Sequence, residues 1–89
     1  MGLELKMRLL KLGMKQIDML VILRKKKEEN PDAFQKVILE PSYISRALRG
    51  EPGERFDRLR EVIDQTLAEK EAQRAAQNTI NEMQMRPFL

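Results

Sequence analysis

The chain opens on a strongly periodic stretch. In Leu3-Glu4-Leu5-Lys6-Met7-Arg8-Leu9-Leu10-Lys11-Leu12, residues Leu5, Leu9 and Leu12 share one helical stripe. Leu3, Met7 and Leu10 widen that stripe, which predicts a broad buried face. Gly13 then ends the helix as a residue free to take positive φ. The pattern resumes near Lys15-Gln16 and runs through Ile17, Leu20, Val21, Leu23 and Arg24 into the charged run Arg24-Lys25-Lys26-Lys27-Glu28-Glu29. Asn30-Pro31-Asp32 marks a break and a fresh start, because Asn caps helices and Pro suits their first position. Ala33, Phe34, Val37 and Ile38 predict a short helix that lands Phe34 on the core.

Pro41 is the next boundary, since the residue before a proline is pushed out of the helical region. From Ser42 a short helix follows, with Ile44, Ala47 and Leu48 inward and Gly50 as its stop. Glu51-Pro52-Gly53 reads as a turn. Beyond it Phe56, Leu59, Ile63 and Leu67, with Val62 alongside, form a clear amphipathic stripe. Past Leu67 the large apolar residues give way to Ala68, Ala72, Ala75, Ala76, Ile80 and Met83 among polar residues, and helix propensity carries the segment to Arg86-Pro87. There is neither a strand pattern nor an internal repeat, so an all-α, compact helical bundle is expected.

Composition narrows the chemistry. The 89 residues contain no Cys and no His, which removes disulfides, His/Cys zinc sites and His acid/base catalysis. No phosphate-cradling Gly loop occurs, and the Ser and carboxylate residues form no nucleophile–base pattern, so the chain is not expected to be an enzyme or to take a small-molecule substrate. No cofactor and no metal is implied. One Tyr, three Phe and no Trp supply no stacking platform for single-stranded nucleic acid. The longest apolar run, Met19 to Leu23, is far short of the roughly 20 residues of a membrane helix. The charged and apolar residues that alternate at the N-terminus do not read as a signal peptide. A soluble, cytoplasmic protein is expected.

Charge is unevenly spread. Residues 1–50 hold eleven Lys/Arg against six Asp/Glu, a net of +5, whereas residues 51–89 hold six against eight, a net of −2. A basic half joined to a mildly acidic one points to one surface that faces a polyanion. The order helix, Gly13, Gln-led helix, then Pro41-Ser42-Tyr43-Ile44-Ser45-Arg46-Ala47-Leu48-Arg49-Gly50 carries more information than the charge. Ile44 and Leu48, four apart, anchor that last helix, and Ser42, Tyr43, Ser45, Arg46 and Arg49 remain outward with donors suited to phosphates and base edges.

These phrases resemble the helix-turn-helix of the lambda-repressor-like (Cro/CI, XRE) family of phage and bacterial regulators. Gly13-Met14-Lys15-Gln16 is similar to the phrase that opens the family's first motif helix, and Pro-Ser-Tyr-Ile-Ser-Arg to its recognition helix. The resemblance covers about residues 3–67. It implies a helix-turn-helix DNA-binding domain over residues 1–67 and a C-terminal helical extension over residues 68–89. Gln16 would contact a phosphate, with Lys15 adding charge nearby. Ser42 and Tyr43 would meet base edges and phosphates, Ser45 and Arg46 would face the groove, with Arg46 bidentate to a guanine, and Arg49 would grip a phosphate.

The implied function is a phage- or prophage-type transcriptional regulator, a repressor that occupies a double-stranded DNA operator as a homodimer at the bacterial nucleoid. The alternative is a protein-interaction module of helix-turn-helix shape, an anti-repressor or antitoxin-like adaptor. Each residue also has a plainer reading: Arg46 and Arg49 as solvated charges, Gln16 as an ordinary helix start, Tyr43 as a ring packed sideways on the core.

Two segments depart from the family pattern. Gln16 and Pro41 stand twenty-five positions apart, where the family holds them within about ten, so the turn between the helices is enlarged. That enlarged turn, over Arg24–Lys36, carries Lys25, Lys26 and Lys27 either to the DNA backbone as a third grip or into solvent as a charged loop. Residues 68–89 supply either a dimer contact through Ala68, Ala72, Ala76, Ile80 and Met83, or a solvated terminal helix. Lys70, Gln73 and Gln77 interrupt any heptad seam, which disfavours a long coiled coil.

Overall fold

Four helices follow one another among the described residues: α1 (Gly2–Lys11), α2 (Gln16–Glu29), α3 (Pro41–Leu48) and α4 (Glu54–Gln84), with a 3-10 turn over Pro31–Phe34 between α2 and α3. The computed structural model describes the backbone of residues 2–84 and the side chains of residues 3–77. The expected end of the last helix at Arg86-Pro87, and the side chains of Ile80 and Met83, lie outside the described residues. The all-α bundle expected from the periodicity is observed.

Local chemistry sets the boundaries. Gly13, at φ +70°, ends α1 in a Schellman pair: its N–H donates to the Leu10 carbonyl at 2.9 Å and the Met14 N–H donates to Leu9 at 3.1 Å. Gly50 repeats the device at φ +83°, with its N–H on Ala47 at 3.0 Å and the Glu51 N–H on Arg46 at 3.1 Å. At the start of α2 the Asp18 carboxylate accepts the Lys15 backbone N–H at 2.8 Å, half of a capping box. Pro41 occupies the first position of α3, with Glu40 extended before it.

The predicted short helix over Ala33–Ile38 is corrected. It is limited to the single 3-10 turn Pro31–Phe34, and Asn30 stands before it without a side-chain capping bond. Lys36 takes φ +63°, a left-handed conformation that ends the turn. Residues 37–40 then have no helical structure, and Val37 and Leu39 are buried while Ile38 between them is half-buried. Phe34 does reach the core.

One apolar core joins all the elements. Leu5 and Leu9 of α1, Met19, Leu20 and Leu23 of α2, Ile44, Ala47 and Leu48 of α3, and Phe56, Leu59, Val62, Ile63 and Leu67 of α4 are buried in it. The broad buried face expected of α1 is also corrected. Leu5 and Leu9 are covered and Leu12 is half-covered, but Leu3, Met7 and Leu10 are exposed. A helix packed on one side of a small bundle covers only the stripe within about 100° of the contact, and these three residues lie outside it.

Long-range polar contacts fix the helices on the core. Arg8 grips Glu71 through Nε at 3.2 Å and Nη2 at 2.8 Å and also pairs with Asp64, while Arg74 donates to the Lys11 carbonyl at 2.6 Å. These contacts lay α1 alongside α4, both helices running in the same direction. Arg58 donates to the Ala33 carbonyl at 2.8 Å and Arg24 to the Leu39 carbonyl at 3.2 Å, so the enlarged turn is tied at both ends. Among the described side chains the last large buried residue of α4 is Leu67, yet the helix continues to Gln84, about 25 Å further. The radius of gyration, 15.6 Å against about 12 Å for a sphere-like domain of this length, records that projection.

Candidate nucleic-acid interface

The first turns of α2 and α3 meet at one edge of the bundle. Gln16, Ile17, Leu20, Pro41 and Ile44 line a common shallow dent there, although the sequence separates Gln16 from Pro41 by twenty-five positions. The early N–H groups of an α-helix have no partner within the helix, so an edge built from two helix starts is rich in donors. Lys15 is exposed and Gln16 half-buried at this edge. Glu40 and Asp18 stand beside the same starts as exposed carboxylates, and both oppose an anion.

On α3 the five expected outward residues divide into two sets. Ser42, Ser45 and Arg49, at spacings of three and four, form one row on the outer face; Ser42 and Arg49 are exposed and Ser45 half-buried. Tyr43 and Arg46 turn instead toward α4. The Tyr43 ring stacks on Phe56 at 5.5 Å between centroids with 27° between planes, so its half-buried ring follows the sideways-packed reading. The Arg46 guanidinium lies 4.8 Å from the Phe56 centroid and 5.9 Å from that of Tyr43. Its fork is occupied by Glu51, with Nε–Oε2 at 2.8 Å and Nη2–Oε1 at 2.7 Å.

Glu51 reaches Arg46 because of the Schellman turn at Gly50, which folds the second residue past the cap Arg49 back onto the third-last of the helix. An apolar contact usually fills those two places; here an ion pair does. Arg60 of α4 closes the same corner, donating to the Ala47 carbonyl at 3.2 Å and the Glu51 carbonyl at 2.8 Å. The carbonyl end of α3 is thereby held from α4. The sequence marked Glu51 as a turn residue and Phe56 as a core residue, not as parts of this site, and did not mark Arg60. The Gly50 stop carried a signal for the Arg46–Glu51 pair through this turn geometry, but nothing local marks Arg60.

The lysine run does not act as one cluster. Lys26 donates to Thr66 Oγ1 at 3.2 Å and pairs with Glu69, both on α4, while Thr66 itself donates to the Val62 carbonyl at 2.8 Å. Successive helical positions are rotated by about 100°, so three consecutive lysines cannot share a face. Of the proposed third grip, Lys25 and Lys27 are exposed, on different sides of α2. In the tail, Ala68, Ala72 and Ala76 are exposed on a continuous helix.

Two carboxylates near these arginines are electrostatically perturbed. Hydrogen bonding from Arg46 holds the Glu51 carboxyl below the ordinary glutamate range, and hydrogen bonding from Arg8 does the same for Glu71. A carboxyl held low in the folded state contributes stability above its unfolded pKa, and that contribution is lost as pH falls through the lower folded value. The thermal midpoint is therefore expected to drop on acidification below about pH 4.5. Glu51→Gln and Glu71→Gln should each flatten that drop between pH 7 and pH 3 by circular dichroism. An unchanged slope in both variants would mean that these pairs do not form in solution.

No helix among the described residues is long and apolar enough to cross a membrane. No protein-family model, curated protein or solved structure matches the chain.

Proposed function

We propose that the chain is a sequence-specific double-stranded DNA-binding transcriptional regulator, a repressor of phage or prophage type that acts by occupying an operator as a homodimer. The observation that carries this reading is the meeting of the two helix starts, Gln16 and Pro41, at one edge, with the Ser42–Ser45–Arg49 row beside them. The enlarged turn does not separate these starts. An exposed helix row flanked by helix N-termini suits the major groove, where backbone donors and basic side chains take phosphates and short polar side chains take base edges.

In this reading Lys15, Gln16 and Arg49 take phosphates, and Ser42 and Ser45 meet base edges. Arg46 reaches a guanine only by giving up its two bonds to Glu51. Its role is therefore to brace α3 against Phe56 and Glu51, with Tyr43 stacked on Phe56 beside it. The protein performs no chemistry; it excludes other proteins from the operator at the bacterial nucleoid.

The test is selection of bound duplexes from a randomised pool at about 0.1 M salt with non-specific competitor. Recovery of a palindromic sequence is the expected result, and its half-site spacing reports the dimer. Failure to bind any duplex even at low salt would overturn the reading. The alternative, a protein-interaction module, is favoured by exposed Ile17 and Val21 on α2 beside the same edge, and that failure would leave it standing.

A further inference from the structure

Helix α1 has two apolar faces, and the chain covers only one. Leu5 and Leu9 face the core, whereas Leu3, Met7 and Leu10 are 73%, 57% and 64% exposed. At about 100° per residue, positions 3, 7 and 10 fall on the side of the helix opposite positions 5, 9 and 12. Nearly every large apolar residue of a ten-residue helix thus lies on a face that is either buried or fully offered to solvent. A helix that is apolar on both sides belongs in an interior.

We infer that this outer face is the contact between two copies of this chain, with α1 paired antiparallel to α1 across a twofold axis. The charges on one edge of this face complement those of a second copy in that direction. Glu4 and Lys11 are seven positions apart, so they lie on the same edge of the apolar face, and both are exposed. An antiparallel pair centred between positions 7 and 8 sets Glu4 against Lys11 of the second copy and Lys11 against its Glu4. In a parallel pair about a twofold axis opposite edges meet, so Glu4 would face Lys6 of the second copy and Lys11 would have no carboxylate of α1 opposite it. An isologous contact of this kind needs only one self-complementary patch.

Lys6 stands on the other edge, facing its own copy, and the patch is small. The expected contact is therefore at the low end of specific interfaces, below about 1,200 Å² in total, with a dissociation constant on the order of 10 µM. The inference places the homodimer of the proposed function on α1 rather than on the Ala68–Ala72–Ala76 stripe, and its test contains no DNA.

The test is sedimentation velocity of the full chain from about 1 to 500 µM, a range set by that affinity. A reversible monomer–dimer equilibrium is expected. Met7→Glu should weaken it at least tenfold while helicity and thermal midpoint are unchanged, because the side chain is exposed in the monomer. Glu4→Lys alone should weaken it, and Glu4→Lys combined with Lys11→Glu should restore it, since only self-pairing in this direction exchanges the two charges. Because Lys11 also acts on Glu71, the folded fraction of the double variant is checked by circular dichroism. A wild-type chain that stays monomeric at 500 µM would overturn the inference. So would a dimer indifferent to Met7→Glu, or one abolished instead by Ala72→Glu. Duplex binding by the same variants, measured separately, tests the proposed function and not this contact.

Discussion

Ile44→Ala is expected to lower the free energy of unfolding by about 2–5 kcal/mol. Ile44 is fully buried on α3 and also lines the dent where the starts of α2 and α3 meet. Its truncation removes apolar contact and leaves a cavity that the tied neighbours cannot close, since Arg24 and Arg60 hold the segments on either side of α3. A domain of this size has only about 5–13 kcal/mol of stability in total, so this is a large share. The thermal midpoint should fall by roughly 10–30 °C. Val21→Ala, which removes a comparable apolar group from an exposed site on α2, should move stability by no more than about 0.5 kcal/mol. Chemical denaturation of the two variants decides the matter; similar losses in both would mean that α3 is not seated on the core as described.

Arg49→Glu is expected to weaken duplex binding by about 100-fold or more, with the fold intact. Arg49 is exposed at the end of α3, and no part of its side chain is needed by the core. Loss of one charge-assisted phosphate bond removes about 1.5–3 kcal/mol, and the new carboxylate adds repulsion from the backbone. The dependence of log affinity on log salt should become shallower by about one for each phosphate that is no longer neutralised. Fluorescence anisotropy at several salt concentrations reads both quantities. Arg46→Ala provides the contrast: it should leave affinity near the wild-type value and lower the thermal midpoint, because its fork is spent on Glu51. If Arg46→Ala instead relaxed sequence preference with no loss of stability, Arg46 would be a base-reading residue that exchanges Glu51 for guanine.

The sequence made the helices legible where their cause is local. Gly13 and Gly50 stop α1 and α3 because a left-handed residue lets two orphan carbonyls be satisfied, and both positions could be read from glycine alone. The stripe Phe56, Leu59, Val62, Ile63, Leu67 was equally plain and is buried throughout. The left-handed turn at Lys36 was not legible, because a lysine in that conformation is held by its surroundings rather than by its own preference. The candidate interface was legible as a list of residue types on α3. Its division into a free row and a braced pair was not, since that depends on where Phe56, Glu51 and Arg60 arrive from other segments.

The sequence by itself therefore determined the all-α class, the ends of α1 and α3 and most of the buried stripe, because each follows from periodicity and from the backbone freedom of a few residues. The tertiary structure alone decided which of two apolar faces of α1 is covered, that Lys26 serves α4 and not a basic patch, and that Arg46 is already paired. Periodicity marks an apolar face without naming what covers it, and a charge's partner is set by segments that meet only after the chain has folded.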